Sequence, residues 1–153
     1  MGFVFVDRIL ELDPGVTIRA EKYVREDEEI FEVHYPGFPV VPGSFLIEMM
    51  AQTAGRCLDA ERRPRGLAML ARIQSAGFHS YVGPCQTADI GGTIKTNREA
   101  FATAESVIHV DGALVAKAEL FFTFVPYDQL APGFRDAVLE AYGSGKDLSG
   151  GTP

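Results

Sequence analysis

The stretch His34-Tyr35-Pro36-Gly37-Phe38-Pro39-Val40-Val41-Pro42-Gly43-Ser44-Phe45-Leu46-Ile47-Glu48-Met49-Met50-Ala51-Gln52-Thr53-Ala54-Gly55 decides how the rest of this chain is read. Its first ten residues hold three prolines and two glycines. Each proline fixes φ and removes a backbone donor, which excludes regular helix and the middle of a sheet. The segment is nevertheless rich in apolar and aromatic groups. A surface linker would be polar, so this loop is expected to pack against something. From Ser44 the pattern changes. Residues 44–60 predict a helix, apolar almost all round over 44–55, and therefore buried. Arg56, Asp59, Glu61, Arg62 and Arg63 close it before Pro64, and basic residues in a last turn suit the helix dipole.

Glu48 is the only charged residue between Phe45 and Gly55. A buried carboxylate is costly unless it is neutralised or hydrogen-bonded. Gln52 stands at i+4, one turn further on the same face. Burial is expected to raise the pKa of Glu48 and let it act as an acid near neutral pH. The alternative is a structural Glu satisfied by Gln52 and the backbone, and the residues leave both open. His34 opens the loop. Alone it reads as a packing or hydrogen-bonding residue; with a buried Glu it supplies the ingredients of general acid–base catalysis. Gly43 sits at the helix start, where free N–H groups and the positive dipole end can polarise a carbonyl, or where a glycine merely permits a tight turn. Ser44 lacks a G-x-S-x-G frame and reads as a helix cap.

Outward from this centre the chain reads as β. Residues 3–12 and 16–24 alternate around the turn Asp13-Pro14-Gly15 and predict a hairpin, followed by an acidic, solvated turn at Glu26-Asp27-Glu28-Glu29. Beyond Gly66, strands are expected over 67–78, 87–97, 100–110 and 114–125, with Asp111-Gly112 as a hairpin turn. Phe121, Phe122, Phe124 and Val125 suggest a strand buried on both faces or one at an oligomer interface. Residues 126–153 are expected to form an extension with a short helix over 133–142 and a disordered tail. Strands, one buried helix and more strands give an α+β class.

The 153 residues suit a single domain, and 46% hydrophobic residues exclude a disordered or collagen-like chain. A net charge of −7 argues against a nucleic-acid partner. No long apolar run predicts a membrane span, and no leader is read at the N-terminus. Cys57 and Cys85 form no C-x-x-C pair, and the three histidines are scattered, so no metal site is predicted. Two cysteines without a leader read as free thiols in a reducing cytoplasm, although spacing alone leaves a disulfide open. No phosphate-binding glycine motif is present. Charge is uneven: residues 1–33 carry four basic and nine acidic side chains, whereas 34–72 carry five basic and three acidic.

The stretch from His34 to Gly55 resembles the active-site signature of FabZ-type 3-hydroxyacyl-[acyl carrier protein] dehydratases, which reads roughly H-F-P-x-x-P-V-M-P-G-V-L-I-I-E-A-M-A-Q. The His, the prolines, the Pro-Gly pair, the Glu and the Ala-Gln agree at matching separations. Val6 to Leu12 with Pro14-Gly15 is similar to the family's opening hairpin. Val110-Asp111-Gly112, Ala116, Ala118-Glu119-Leu120 and Phe122 are similar to its last strand pair, so the resemblance spans about residues 3–125. It implies a hotdog fold, a curved antiparallel sheet wrapped around a long central helix. It also implies a homodimer, alone or as a trimer of dimers, whose two sheets join and whose active sites draw His34 from one chain and Glu48 from the other. Its substrate rides on the phosphopantetheine of an acyl carrier protein, and no cofactor of its own is implied. His34 would take the C2 proton, Glu48 would protonate the departing hydroxyl, Gly43 N–H would polarise the thioester and Gln52 would orient Glu48. FabA-type isomerising relatives carry Asp where this chain has Glu48, which favours the dehydratase-only branch.

Phe45, Met49, Phe78 and Tyr81 are the candidates for lining the acyl tunnel, with plain core the other reading for Met49. The family's F-R-R-P-V-x-P-G-D run is replaced here by Phe78-His79-Ser80-Tyr81-Val82-Gly83-Pro84-Cys85-Gln86, which lacks both arginines. Arg62, Arg63 and Arg65 are the candidates to take over carrier docking, and a specialised role in polyketide or polyene synthesis is the expectation these departures raise. A hotdog thioesterase and a non-catalytic acyl-binding subunit are the competing readings.

Overall fold

The computed structural model describes residues 2–145. Six strands form one antiparallel sheet: β1 (Arg8–Asp13), β2 (Thr17–Tyr23), β3 (Leu67–Phe78), β4 (Thr87–Asn97), β5 (Ala102–Val110) and β6 (Ala113–Val125), in the order β1-β2-β4-β5-β6-β3. The helix α1 (Gly43–Asp59) lies on the concave face, and a short α2 (Ala137–Ser144) packs on β1. This is the hotdog arrangement expected from the sequence. The alternation that predicts strands is visible in the burial itself: along β5, Ala102, Ala104, Ser106, Ile108 and Val110 are buried while the residues between them are not.

Most of the core joins α1 to the sheet, with Leu46, Met49, Met50 and Ala54 against Ile90, Ile108, Leu120 and Phe122. Gly92 makes the close approach possible: a Cβ there would come within 3.0 Å of Ile18 Cγ2 and within 3.6 Å of the Ala54 backbone. A second cluster gathers Val6, Ile9, Ile18, Ala20 and Cys57 with Val138, so α2 is fastened to the opening hairpin by an apolar contact. Cys57 is buried, Cys85 exposed, and both are free thiols.

Three differences from the sequence reading have physical causes. Residues 3–7 alternate like a strand but lie outside β1; the side chain of Gln52 holds them instead, its oxygen accepting from Phe5 N–H and its nitrogen donating to Phe3 C=O. The acidic stretch is only partly a turn, since Glu29–Glu32 closes into a 3-10 turn that buries Phe31. The last helix starts at Ala137 rather than Gly133, because the Asp136 carboxylate accepts from Val138 N–H and Leu139 N–H and sets the N-cap. The tail beyond residue 145, expected to be disordered, lies outside the described residues.

Phe122 is fully buried, so β6 carries the core on one face. Its other face is covered by Phe121, which stacks on Phe101 with centroids 5.2 Å apart and lies beneath Arg72. Phe124, on the same face as Phe122, packs against the core and lies beneath Arg65. Strand β3 is an outer edge of the sheet, and its Met69 and Ile73 are about half exposed. A twelve-residue apolar edge left unpaired is a template for another strand.

Candidate active site

The proline-rich loop is packed, as its composition requires. Tyr35 and Phe38 exchange backbone hydrogen bonds, Val40 N–H donates to His34 C=O at 3.0 Å, and Val41 N–H donates to Val82 C=O at 2.8 Å. These bonds hold His34 rigidly at the foot of the loop. Its Nδ1 lies 2.9 Å from the Val40 carbonyl oxygen. A carbonyl only accepts, so Nδ1 carries a proton, and in the neutral ring Nε2 presents a lone pair. The ring is half-buried and stacked on Tyr35, with centroids 4.1 Å apart.

Pro42 caps the helix, and Gly43 is its first residue. The first N–H groups of a helix have no intrahelical acceptor, so Gly43 N–H is available to an incoming oxygen. Phe78 closes over it: a Cβ on Gly43 would lie 3.1 Å from the ring edge. A side chain here would have to shift the Phe78 ring by a few tenths of an ångström, a constraint the turn argument alone does not reveal. Of the proposed tunnel residues, Phe78 therefore borders the site. Tyr81 lies further out, edge to face with Phe38 at 5.2 Å, and both rings are more than half exposed. Phe45 packs edge to face on Phe5 at 5.1 Å. Met49 is fully buried among the main core residues, in line with the plain-core reading.

Glu48 is half-buried in the chain, not sealed in the core as the apolar sequence around it suggests. Its face of α1 looks into a cleft of ≈ 350 Å³ walled by Leu70 and Phe122 on one side and by Phe134 and Asp136 of the extension on the other. Gln52 Nε2 donates to Glu48 Oε1 at 3.0 Å, so the i+4 pairing expected from sequence is present. Gln52 is itself held by Phe5 N–H and by Arg56 Nη1, and Arg56 bonds Asp136 through Nε at 3.1 Å. A chain of polar contacts therefore runs from Asp136 in the extension to Glu48. Among the described residues no contact joins His34 to Glu48 within one chain.

Sequence reasoning missed the carboxylate with the most perturbed environment. Burial pushes the Asp59 carboxyl up to about 7, with nearby Asp136 adding to the effect; Ala68 N–H and the arginines Arg56 and Arg65 oppose it. The signal was there, since Asp59 lies on the same helix face as Glu48, but a helix-end acid reads as solvated. The arginine cluster also divides. Arg65 is buried, its guanidinium bonded to Glu61, Asn97 and Arg98 C=O and lying 3.9 Å over the Phe124 ring. It offers no surface charge, which corrects its assignment to carrier docking. Arg63 pairs with Glu61 at 2.9 Å, whereas Arg62 is exposed and has no ion pair among the described residues. No metal-ligating cluster occurs among the described residues.

The fold defines a hotdog protein with a His-bearing loop and a Glu-bearing central helix. Solved structures agree on the fold: the Dehydratase Heterocomplex ApeI:P from Xenorhabdus doucetiae superposes with a TM-score of 0.65 at 20% identity, covering 83% of this chain and 86% of that one. A Streptococcus mutans protein bound to acetyl CoA superposes at 0.63 with 14% identity, covering 78% and 88%. The model of the FabA-like domain matches residues 1–119. Curated 3-hydroxyacyl-[acyl-carrier-protein] dehydratases named FabZ match over most of the chain. That of Fusobacterium nucleatum is 38% identical over 127 residues, covering 82% of this chain and 88% of its own. That of Syntrophotalea carbinolica is 35% identical over 129 residues, covering 83% and 88%. The chain belongs to the FabA-like family and to its FabZ-type dehydratase branch.

Proposed function

We propose that the protein is a hydro-lyase that dehydrates 3-hydroxyacyl thioesters carried on acyl carrier protein to trans-2-enoyl thioesters, in fatty-acid or polyketide-like chain synthesis. The observation that carries the reading is His34. Its Nδ1–H is committed to the Val40 carbonyl, which leaves Nε2 as a base on a rigid loop beside the helix N-terminus.

In this reading Gly43 N–H and the helix dipole stabilise the enolate-like charge on the thioester oxygen. His34 Nε2 takes the C2 proton, and that C–H pair becomes the C2=C3 double bond. The C3–O bond breaks, and Glu48 gives its proton to the departing hydroxyl, which leaves as water. Proton transfer from His34 back to Glu48 resets the site. Gln52 holds Glu48 Oε1 and so fixes which oxygen faces the substrate. The chemistry requires no metal or nucleotide cofactor.

His34 and Glu48 belong to opposite subunits of a homodimer in this reading. Edge strand β3, with its exposed Met69 and Ile73, would pair with its copy and bring the His34 loop of one chain over the Glu48 cleft of the other. No described helix is long and apolar enough to cross a membrane. In this reading the enzyme works in the cytoplasm, where its carrier-bound substrate would be made. The test is the enoyl absorbance formed from a 3-hydroxyacyl thioester. His34→Ala and Glu48→Gln should each lower kcat by roughly 10²–10⁴-fold. Full activity in either variant, or release of free thiol in place of enoyl product, contradicts the reading.

A further inference from the structure

We propose that the C-terminal extension forms one wall of the substrate entry, and that Arg62 and Arg135 at its rim hold the phosphodiester of the carrier's phosphopantetheine arm. The proposal rests on the carrier-bound substrate argued above and names the residues that would receive it.

A groove of ≈ 620 Å³ lies between Pro14 of the first hairpin turn, the end of α1, and Tyr127, Leu139 and Tyr142 of the extension. Asp59, Leu67, Phe134 and Asp136 line both this groove and the cleft that holds Glu48, so the two adjoin. Along the helix axis Glu48 and Asp59 are about 16 Å apart, a distance an extended phosphopantetheine arm can span. Of the lining, Tyr127, Phe134, Arg135, Leu139 and Tyr142 lie beyond residue 119, where the match to the family model ends.

The lining suits this occupant. Leucine and tyrosine side chains match the arm's methyl groups, and carboxyl and hydroxyl groups match its two amides. The acidic residues are largely neutralised. Asp136 is paired with Arg56 at 3.0 Å and caps α2. Asp59 holds its proton up to about pH 7. Glu140 faces Arg135 at 3.6 Å. The cations are better placed to act: Arg62 has no ion pair among the described residues, and Arg135 has only that long, exposed one. Val138 in the second core accounts for the docking of α2. It does not account for Phe134, half exposed over the cleft, or for Arg135 beside it.

The test compares two substrates with the same 3-hydroxyacyl group, one on acyl carrier protein and one as an N-acetylcysteamine thioester, which has no phosphate. In the Arg62→Ala/Arg135→Ala variant, KM for the carrier-bound substrate should rise roughly tenfold while kcat holds, with no matching rise for the truncated one. Equal effects on both substrates, or none on either, overturn the proposal. A wild-type enzyme inactive on both overturns the dehydratase reading itself, and the proposal with it. A second measurement needs no variant. Phosphopantetheine should inhibit the wild-type enzyme more strongly than dephosphorylated pantetheine, and equal inhibition overturns the proposal.

Discussion

The two ends of α1 use charge in opposite ways. At the N-terminal end Gly43 begins the helix beneath Phe78, its N–H unclaimed by the helix, and the nearby His34 keeps one ring nitrogen free. At the C-terminal end almost every polar group is occupied: Arg56 on Asp136, Asp59 on Ala68 N–H, and Arg65 on Glu61 and Asn97. The first end keeps donors and a lone pair ready for a substrate. The second spends its polar groups on holding elements together. The comparison predicts that substitutions at the first end cost activity with little stability, and that those at the second do the reverse.

The largest effect should come at Gly43. Gly43→Pro and Gly43→Ala both add a Cβ beneath Phe78, but only proline removes the N–H, and a first helical position tolerates proline. The Pro variant should lose roughly 10²–10³-fold in kcat beyond the Ala variant, with melting temperatures alike. Equal activity in the two would break the contrast. At the other end, Arg65→Ala leaves Asn97 Oδ1 and Arg98 C=O without their donor and uncovers Phe124, and should destabilise the fold by about 3 kcal/mol in denaturant titrations. The neighbouring Arg63→Ala, which removes a part-exposed guanidinium and leaves Glu61 its bonds to Arg65 and Asn97, should cost about 1 kcal/mol or less. Asp136→Ala removes the α2 cap and the partner of Arg56, at about 1–2 kcal/mol.

Asp59 gives a small effect with a defined sign. Its folded pKa of about 7 lies above the ordinary 3.8 of an aspartate, so between these values the folded state holds a proton that the unfolded chain has released. That stabilisation is full below 3.8, declines as pH rises toward 7, and is gone above it. Asp59→Asn should therefore flatten this decline and raise the melting temperature at pH 8 by about 3 °C. A decline that persists unchanged in the variant would place the proton elsewhere.

The N-terminal end was legible because its residues are unusual for their surroundings. Three prolines around aromatic groups announce a packed loop, one Glu in an apolar helix announces a polar spot with Gln52, and the period-two alternation announces β5 and β6. The other end was not legible. Arg65 looks like its exposed neighbours Arg62 and Arg63, and its burial depends on Asn97 and Phe124, which only the strand pairing brings to it. Gln52 read as a partner for Glu48, yet its bonds to Phe3 and Phe5 need a segment 47 and 49 positions away. Asp136 could have been recognised as a cap before an apolar run, which would have placed the start of α2 correctly.

The central claim is that His34 of one chain works with Glu48 of another. Subunit mixing tests it most directly. His34→Ala and Glu48→Gln enzymes, each inactive alone, are unfolded together, refolded and assayed for dehydration. A site shared between subunits regains one intact His34/Glu48 pair in every mixed dimer, so activity should return to roughly a quarter of wild type at equal amounts. A mixture as inactive as its parents would show that each site is built within a single chain, and would contradict the account.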